Sequence, residues 1–187
     1  MLTKLDAHSA LVLIDLQAGI LQGTLVHPAE TIVHQSALLA KAFQAAHQPV
    51  VFVTVIPDGA WVRTRKMVSA RPPHIPGDFA QLDPALQPTA NDLLVRKHQW
   101  TAFFNTSLHA ELQDRGITQL VLAGVSTSVG VEGTARDAAV LGYNLAFVVD
   151  AMTDRHPDSH HHSITRIFPR LGEVSDTEQV LAALAQA

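Results

Sequence analysis

The sequence predicts an α/β domain: a parallel sheet with helices on both faces. Two observations carry this. Short runs such as ALVLI (Ala10 to Ile14) and VVFVTVI (Val50 to Ile56) are apolar at successive positions, the pattern of strands buried on both faces. These runs also alternate with helical segments along the chain, the order that produces parallel strands joined by crossover helices. With 187 residues, 47% hydrophobic and 16% charged, the chain can bury a large core, and a single domain over 1–187 is expected.

In chain order, the strand Ala10 to Ile14 ends in Asp15, and DLQAGILQGTLVHP follows as a loop. Ala29 to His47 carries a helical stripe of Ile32, Val33, Leu39, Ala40 and Phe43, with Ser36 as its polar gap, and Pro49 closes it. The strand Val50 to Ile56 comes next. Pro57 to Pro88 has no clear period and holds Trp61, Arg63, Arg65 and Arg71 among breakers. Loops this long in compact domains are commonly functional, so it reads as a cover over a pocket.

Asn91 to Arg96 is a short strand ending in Lys97, Ser107 to Arg115 a helix closed by Gly116, and Gln119 to Val125 another strand. The helix Thr127 to Leu141 stops at Gly142, a C-cap signal. Leu145 to Val149 is a strand ending in Asp150. Pro157 to Phe168 reads as helix, Glu173 to Ser175 as a short edge strand, and Asp176 to Ala185 as a terminal helix with Asp176 as N-cap.

Composition removes several functions. No cysteine is present, which excludes disulfides, zinc-thiolate sites and a thiolate nucleophile. A net charge of −4 offers no basic field for nucleic acid. No apolar run is long enough to span a bilayer, and MLTKLDAHSA lacks the features of a signal peptide, so a cytoplasmic protein without membrane partners is expected.

Three strand ends supply chemistry: Asp15 after the first, Lys97 after the third, and the turn STSVG (Ser126 to Gly130) after the fourth. In a parallel sheet all three lie on one edge, where open α/β folds bind ligands. A carboxylate, an ammonium and the unpaired N–H groups of a helix start can together do acid–base work. On spacing alone, a strand-end Asp or Lys is more often a surface salt bridge or a cap.

The stretches ALVLIDLQ, VRKHQWTAFFNTSL, LVLAGVSTSVGV and EGTARDAAVLGYNLAFVVDAMTD together resemble the isochorismatase-like, or cysteine-hydrolase, family over nearly the whole length. The resemblance implies a three-layer, Rossmann-like α/β/α fold with a six-stranded parallel sheet. It also implies a site in which Asp15 and Lys97 match the Asp and Lys of the family's Asp-Lys-Cys triad. The cysteine position falls on Gly130, so amide hydrolysis through a thioester is not expected. True isochorismatases also have Gly there. They hydrolyse a vinyl ether, with an Asp delivering a proton to the enol carbon and water adding to the oxocarbenium ion. Asp15 would then be the general acid and Lys97 would orient it, with burial or an anionic substrate needed to raise the Asp15 pKa. The resemblance further implies a non-proline cis peptide at Val125–Ser126, aiming the Ser126 N–H at the pocket. It lacks the Asp-x-His metal motif after the second strand, where TVIPDGAWVR stands, so neither metal nor other cofactor is expected. Relatives commonly form dimers or tetramers, and a homo-oligomer is expected here.

For substrate binding, Gln17, Trp61, Trp100, Phe103 and Ser126 are the candidates. Gln17 could equally stabilise its own loop, and Trp100, Phe103 and Phe104 could simply pack the core. Arg63 could bind a carboxylate but fits a solvated loop better, and His98 could enter the pocket or serve a structural role. Ser126, Thr127 and Ser128 offer hydroxyls, but no adjacent His base is evident and capping accounts for them. Helical spacing spreads His160, His161 and His162 over different faces, against a joint metal site. Two functions follow: a metal-free, thiol-free hydrolase of a small polar molecule, or a member that has lost catalysis and binds a small molecule or serves in assembly. A third is direct attack of water on an amide.

Overall fold

The computed structural model describes residues 2–56 and 75–186. Its strands are β1 (Ser9–Ile14), β2 (Val50–Val55), β3 (Leu93–Lys97), β4 (Gln119–Val125), β5 (Asn144–Thr153) and β6 (Glu173–Ser175). They form one six-stranded sheet in the order β3-β2-β1-β4-β5-β6, and every pairing is parallel. The helices are α1 (Ala18–Leu21), α2 (Ala29–Ala45), α3 (Leu108–Asp114), α4 (Glu132–Val140), α5 (Pro157–His162), α6 (Phe168–Leu171) and α7 (Thr177–Leu184).

The continuous apolar runs become central strands because both sheet faces are covered: every residue of β1, β2 and β4 is buried. One core joins α2 and α7 to the face carrying Leu11, Leu13 and Phe52, and α2 contributes Ile32, Leu39 and Phe43 from the stripe expected of it. The other core joins α3, α4 and α6 to Val12, Ile14, Val53 and Phe147. Asp176 caps α7 as expected, accepting from the Gln179 N–H at 2.8 Å. β3 is an edge strand and alternates, leaving Leu94 and Arg96 exposed.

The strand order runs outward in opposite directions from β1 and β4. Their carboxyl ends therefore bound a crevice that no crossover fills, the usual ligand position in such sheets. At Gly124 the two strands approach unusually closely. Its φ is +119°, and a Cβ there would lie 2.1 Å from the Ile14 carbonyl oxygen. The β4–β5 register also shifts between Leu122 and Gly124.

Several boundaries differ from expectation. β5 does not end at Asp150. It continues to Thr153, because Ala151, Met152 and Thr153 are buried and pair on past the irregularity in β4. Asp150 points at the start of α7 instead, its Oδ1 accepting the Thr177 N–H at 2.8 Å. The helix expected from Thr127 opens as a π turn (Thr127–Val131) before α4. The segment after Pro157 likewise runs from α5 through a π turn (Ser163–Ile167) into α6. Within the loop expected after Asp15, α1 forms a single turn.

Of the expected covering loop, residues 57–74, with Trp61 and Arg63, lie outside the described residues. The part from 75 onward runs along the β1 exit, where the Ala18 N–H donates to the Gln81 carbonyl and the Asp83 N–H to the Leu16 carbonyl. No helix among the described residues is long and apolar enough to cross a membrane.

Candidate active site

Asp15 is the first residue beyond β1. Its φ of +52° lies in the left-handed region, uncommon for a residue with a side chain. Its N–H still pairs with the Val53 carbonyl at 2.9 Å, so the chain turns away only after the last strand bond. Lys97 ends β3, on the far side of β2, and its long side chain spans the gap. Its Nζ donates to Asp15 Oδ2 at 2.7 Å and to the Trp100 carbonyl at 3.0 Å. Both residues are almost fully buried, at 5% and 2% exposure. The two charges that sequence spacing placed on one edge therefore form a direct, buried ion pair.

The pair is unevenly satisfied. Asp15 Oδ1 is buried and, among the described residues, has no hydrogen-bond partner. Burial penalises the carboxylate more than the charge and hydrogen bond of Lys97 favour it, and the Asp15 pKa is pushed up to about 6. A carboxyl in this state holds a proton in weakly acidic water and yields it near neutrality.

The third contributor is the π turn after β4. The Val125–Ser126 peptide is cis, and the Ser126 carbonyl accepts from the N–H groups of Val129 and Val131. This folding brings Gly130 against the carboxyl group. A Cβ there would lie 3.2 Å from Asp15 Oδ2 and 2.9 Å from Ile14 Cγ2. Gly130 leaves little room: the glycine lets the backbone approach Asp15, and any side chain would require Ile14 to give way. π turns inside helices often occur at functional sites.

Asp15, Lys97, Ser126 and Gly130 border a cavity of about 240 Å³, below the roughly 300–1,000 Å³ typical of sites for drug-sized ligands. Ile20, Val55, Val125 and Val129 give it apolar walls, and Trp100, 65% exposed, stands at its rim. A larger open groove of about 740 Å³ lies at the opposite, amino-terminal edge of the sheet, near His8, His47 and Arg115. Among the described residues no buried ionisable side chain enters it, so the smaller crevice is the candidate site.

Two of the expected substrate contacts are not at the cavity. Gln17 is fully buried; its Nε2 donates to the carbonyls of Val55 and Phe79, and its Oε1 accepts the Val55 N–H at 2.7 Å. It stitches the β1 exit to the end of β2 and to the backbone at Phe79. Phe103 turns the other way and stacks on Tyr143, centroids 6.1 Å apart. Trp61 lies outside the described residues.

The hydroxyls of the STSVG turn divide. Ser128 donates from its N–H and its Oγ to Asp154 Oδ2, at 2.7 and 2.8 Å. Thr127 is buried with Oγ1 3.0 Å from the Thr153 carbonyl and 2.8 Å from His160 Nδ1. A histidine therefore does adjoin this turn, which the sequence did not reveal, but Thr127 is not among the residues lining the cavity. With the threonine hydroxyl donating to Thr153, Nδ1 carries the proton and donates to Thr127. Burial and the neighbouring His27 lower the His160 pKa. His161 and His162 are exposed. Among the described residues no three metal-ligating side chains converge.

Sequence reasoning missed Arg155, which lines the cavity. Ending β5 at Asp150 left it in an unplaced loop. The apolar and β-branched residues Ala151, Met152 and Thr153 were the signal that the strand continues.

Comparison with known proteins agrees with this architecture. The isochorismatase domain matches residues 9–179. YecD of Escherichia coli O157:H7, an uncharacterized isochorismatase family protein, is 40% identical over 180 residues, covering 94% of this chain and 96% of that protein. The solved structure of an isochorismatase family protein from Burkholderia thailandensis superposes with a TM-score of 0.90 at 39% identity, over 97% of this chain and 98% of that one. The maleamate amidohydrolase of Pseudomonas putida is 32% identical over 130 residues, 67% of this chain and 58% of that protein. The chain belongs to the isochorismatase family and is a hydrolase of that family.

Proposed function

We propose that the protein hydrolyses a small polar substrate by protonation from Asp15, with no covalent enzyme intermediate, and that a vinyl ether is the favoured substrate type. The observation that carries this is the buried, unpartnered Oδ1 of Asp15 on a carboxyl whose pKa lies near 6. Lys97 holds Oδ2, so the transferable proton sits on Oδ1. In the step, the O–H bond of the acid breaks and a C–H bond forms at the enol carbon, leaving an oxocarbenium ion and the Asp15 carboxylate. Water adds to the cation and returns its proton to Asp15. The resulting hemiketal separates into a carbonyl compound and an alcohol.

The chemistry of the chain favours this over amide hydrolysis by a thioester route. Without cysteine there is no thiol for that route, and Gly130 stands where the family resemblance places one. The apolar walls keep the proton on the carboxyl group at a higher pH than in water, so the acid form is available to donate it.

The test is a hydrolysis screen of enol ethers, isochorismate included, alongside amides such as maleamate, on wild type and Asp15→Asn. Turnover of an enol ether that Asp15→Asn abolishes supports the reading. Turnover that survives the substitution, or of amides alone, overturns it. Ligand-induced stabilisation without any turnover would instead identify a binding protein.

A further inference from the structure

We propose that Thr134 is a positioning residue of this site: its one hydroxyl ties the Gly130 turn to the loop that holds Lys97, and so fixes where the ammonium stands against Asp15. The proposal rests on reading Asp15 as the working group of the crevice and adds the residue that sets its surroundings.

Two groups from distant parts of the chain meet Asp15 Oδ2. Lys97 Nζ donates to it at 2.7 Å and is also held by the Trp100 carbonyl at 3.0 Å. The Gly130 backbone comes from the end of β4, where a Cβ would lie 3.2 Å from the same oxygen. Thr134, in the first turn of α4 and fully buried, reaches both sides. Its Oγ1 donates to the Gly130 carbonyl at 2.7 Å and accepts the Ala102 N–H at 3.1 Å. A hydroxyl has one proton to give and lone pairs to accept with, so the two bonds stand together. The bond to Gly130 is the local kind that threonine often makes to the carbonyl four residues back in a helix. The bond to Ala102 crosses 32 residues and has no such local cause.

The receiving loop is built to be held at this point. Ala102 lies two residues beyond Trp100 and is itself fully buried, and its carbonyl accepts the Thr106 hydroxyl at 2.6 Å. Threonine hydroxyls thus pin both of its backbone groups. The helix is also cut to fit: a Cβ on Gly133 would lie 3.4 Å from Trp100 Cβ and 3.6 Å from its carbonyl carbon. α4 therefore offers a bare glycine to Trp100 and a hydroxyl to Ala102. Lysine carries its charge on a flexible stem, so a second acceptor in a fixed place keeps the ammonium on Asp15. The other titratable or charged groups bordering the cavity are His98, after β3, and Arg155, after β5, and the substitutions below leave both in place.

The test follows the Asp15 carboxyl carbon by NMR titration of the full chain, with the signal assigned through Asp15→Asn. In wild type the midpoint stands at about 6. Thr134→Val keeps the shape and removes the hydroxyl. Because Lys97 is an influence that lowers the midpoint, loosening it should raise the midpoint by about half a pH unit or more. Thr134→Ser keeps the hydroxyl and should stay within about 0.2 of wild type. A merely structural threonine predicts a lower melting temperature in Thr134→Val with the midpoint unmoved, and that result overturns the proposal. A lowered midpoint overturns it too, since the hydroxyl would then be closing the cavity against water rather than seating Lys97. A midpoint raised equally in Thr134→Ser assigns the effect to the methyl group and does the same. If Thr134→Val does not fold, Gly133→Leu is read instead: it pushes on Trp100 without touching the hydroxyl, and an unmoved midpoint there overturns the proposal equally. No turnover is needed, so failure of the acid mechanism and failure of this positioning role are separable.

Discussion

Asp15 and Asp154 are both buried at a strand's carboxyl edge, on either side of the same turn, at 5% and 2% exposure. Their hydrogen bonds are opposite in kind. Asp154 is saturated: Oδ2 takes the N–H and hydroxyl of Ser128, and Oδ1 takes the N–H groups of Arg155 and His156. Asp15 spends one oxygen on Lys97 and leaves the other bare. A saturated carboxylate organises backbone. A half-satisfied one keeps a site for a proton. Burial alone does not separate structural from chemical acids; the unused lone pairs do.

The sharpest way to break this comparison is to remove the ability to hold a proton. Asp15→Asn retains an acceptor for Lys97, so the fold should persist by circular dichroism while hydrolysis falls by about 10²–10⁴-fold, the usual weight of a general acid. An activity loss below tenfold would make Asp15 another structural carboxylate.

Next in size is Lys97→Met. It leaves the Asp15 carboxylate buried and unpaired, and unfolding free energy should fall by about 3–5 kcal/mol at pH 8 in denaturant titrations. Lys97 is one of the influences that lower the Asp15 pKa, so its removal raises that pKa further. The destabilisation should therefore shrink as pH drops and the carboxyl protonates. The wild type follows the same sign. A folded pKa above the unfolded value favours the folded state below about pH 4, and that contribution is lost as pH rises through about 6. kcat/KM, if it requires the protonated acid, should fall with one proton through that same region, checked by a pH–rate profile in the absence of bound anions.

Asp154→Ala should cost about 2–4 kcal/mol in denaturant titrations, because it strands several donors. Enol-ether turnover per folded molecule should fall far less than in Asp15→Asn. The smallest effect is expected for Thr127→Val, which removes a buried hydroxyl outside the cavity: about 1 kcal/mol in thermal unfolding, with kcat nearly unchanged. A large kcat loss there would mean that the Thr127–His160 pair belongs to the chemistry.

How much of this the sequence disclosed depended on the range of the interaction. ALVLI and VVFVTVI announced buried parallel strands because their apolar pattern is local, and Asp15 and Lys97 were placed on one edge by topology alone. Gln17 was not separable into substrate contact or staple, since its partners lie 38 and 62 residues away. Phe103 could pack either way until Tyr143 was located. The strand was ended at Asp150 because a charge closed an apolar run, and that charge is in fact claimed by the α7 start. That one boundary hid Arg155. The His160–Thr127 contact spans 33 residues and needed the fold itself.

Gly124 acts as the spacer that sets the width of the candidate crevice. With no side chain, it lets β4 press against the Ile14 backbone, and the turn bearing Gly130 is thereby delivered to Asp15. An alanine at 124 would act as a wedge driven between the two central strands. It would separate Asp15 from the turn bearing Gly130 without altering either of them.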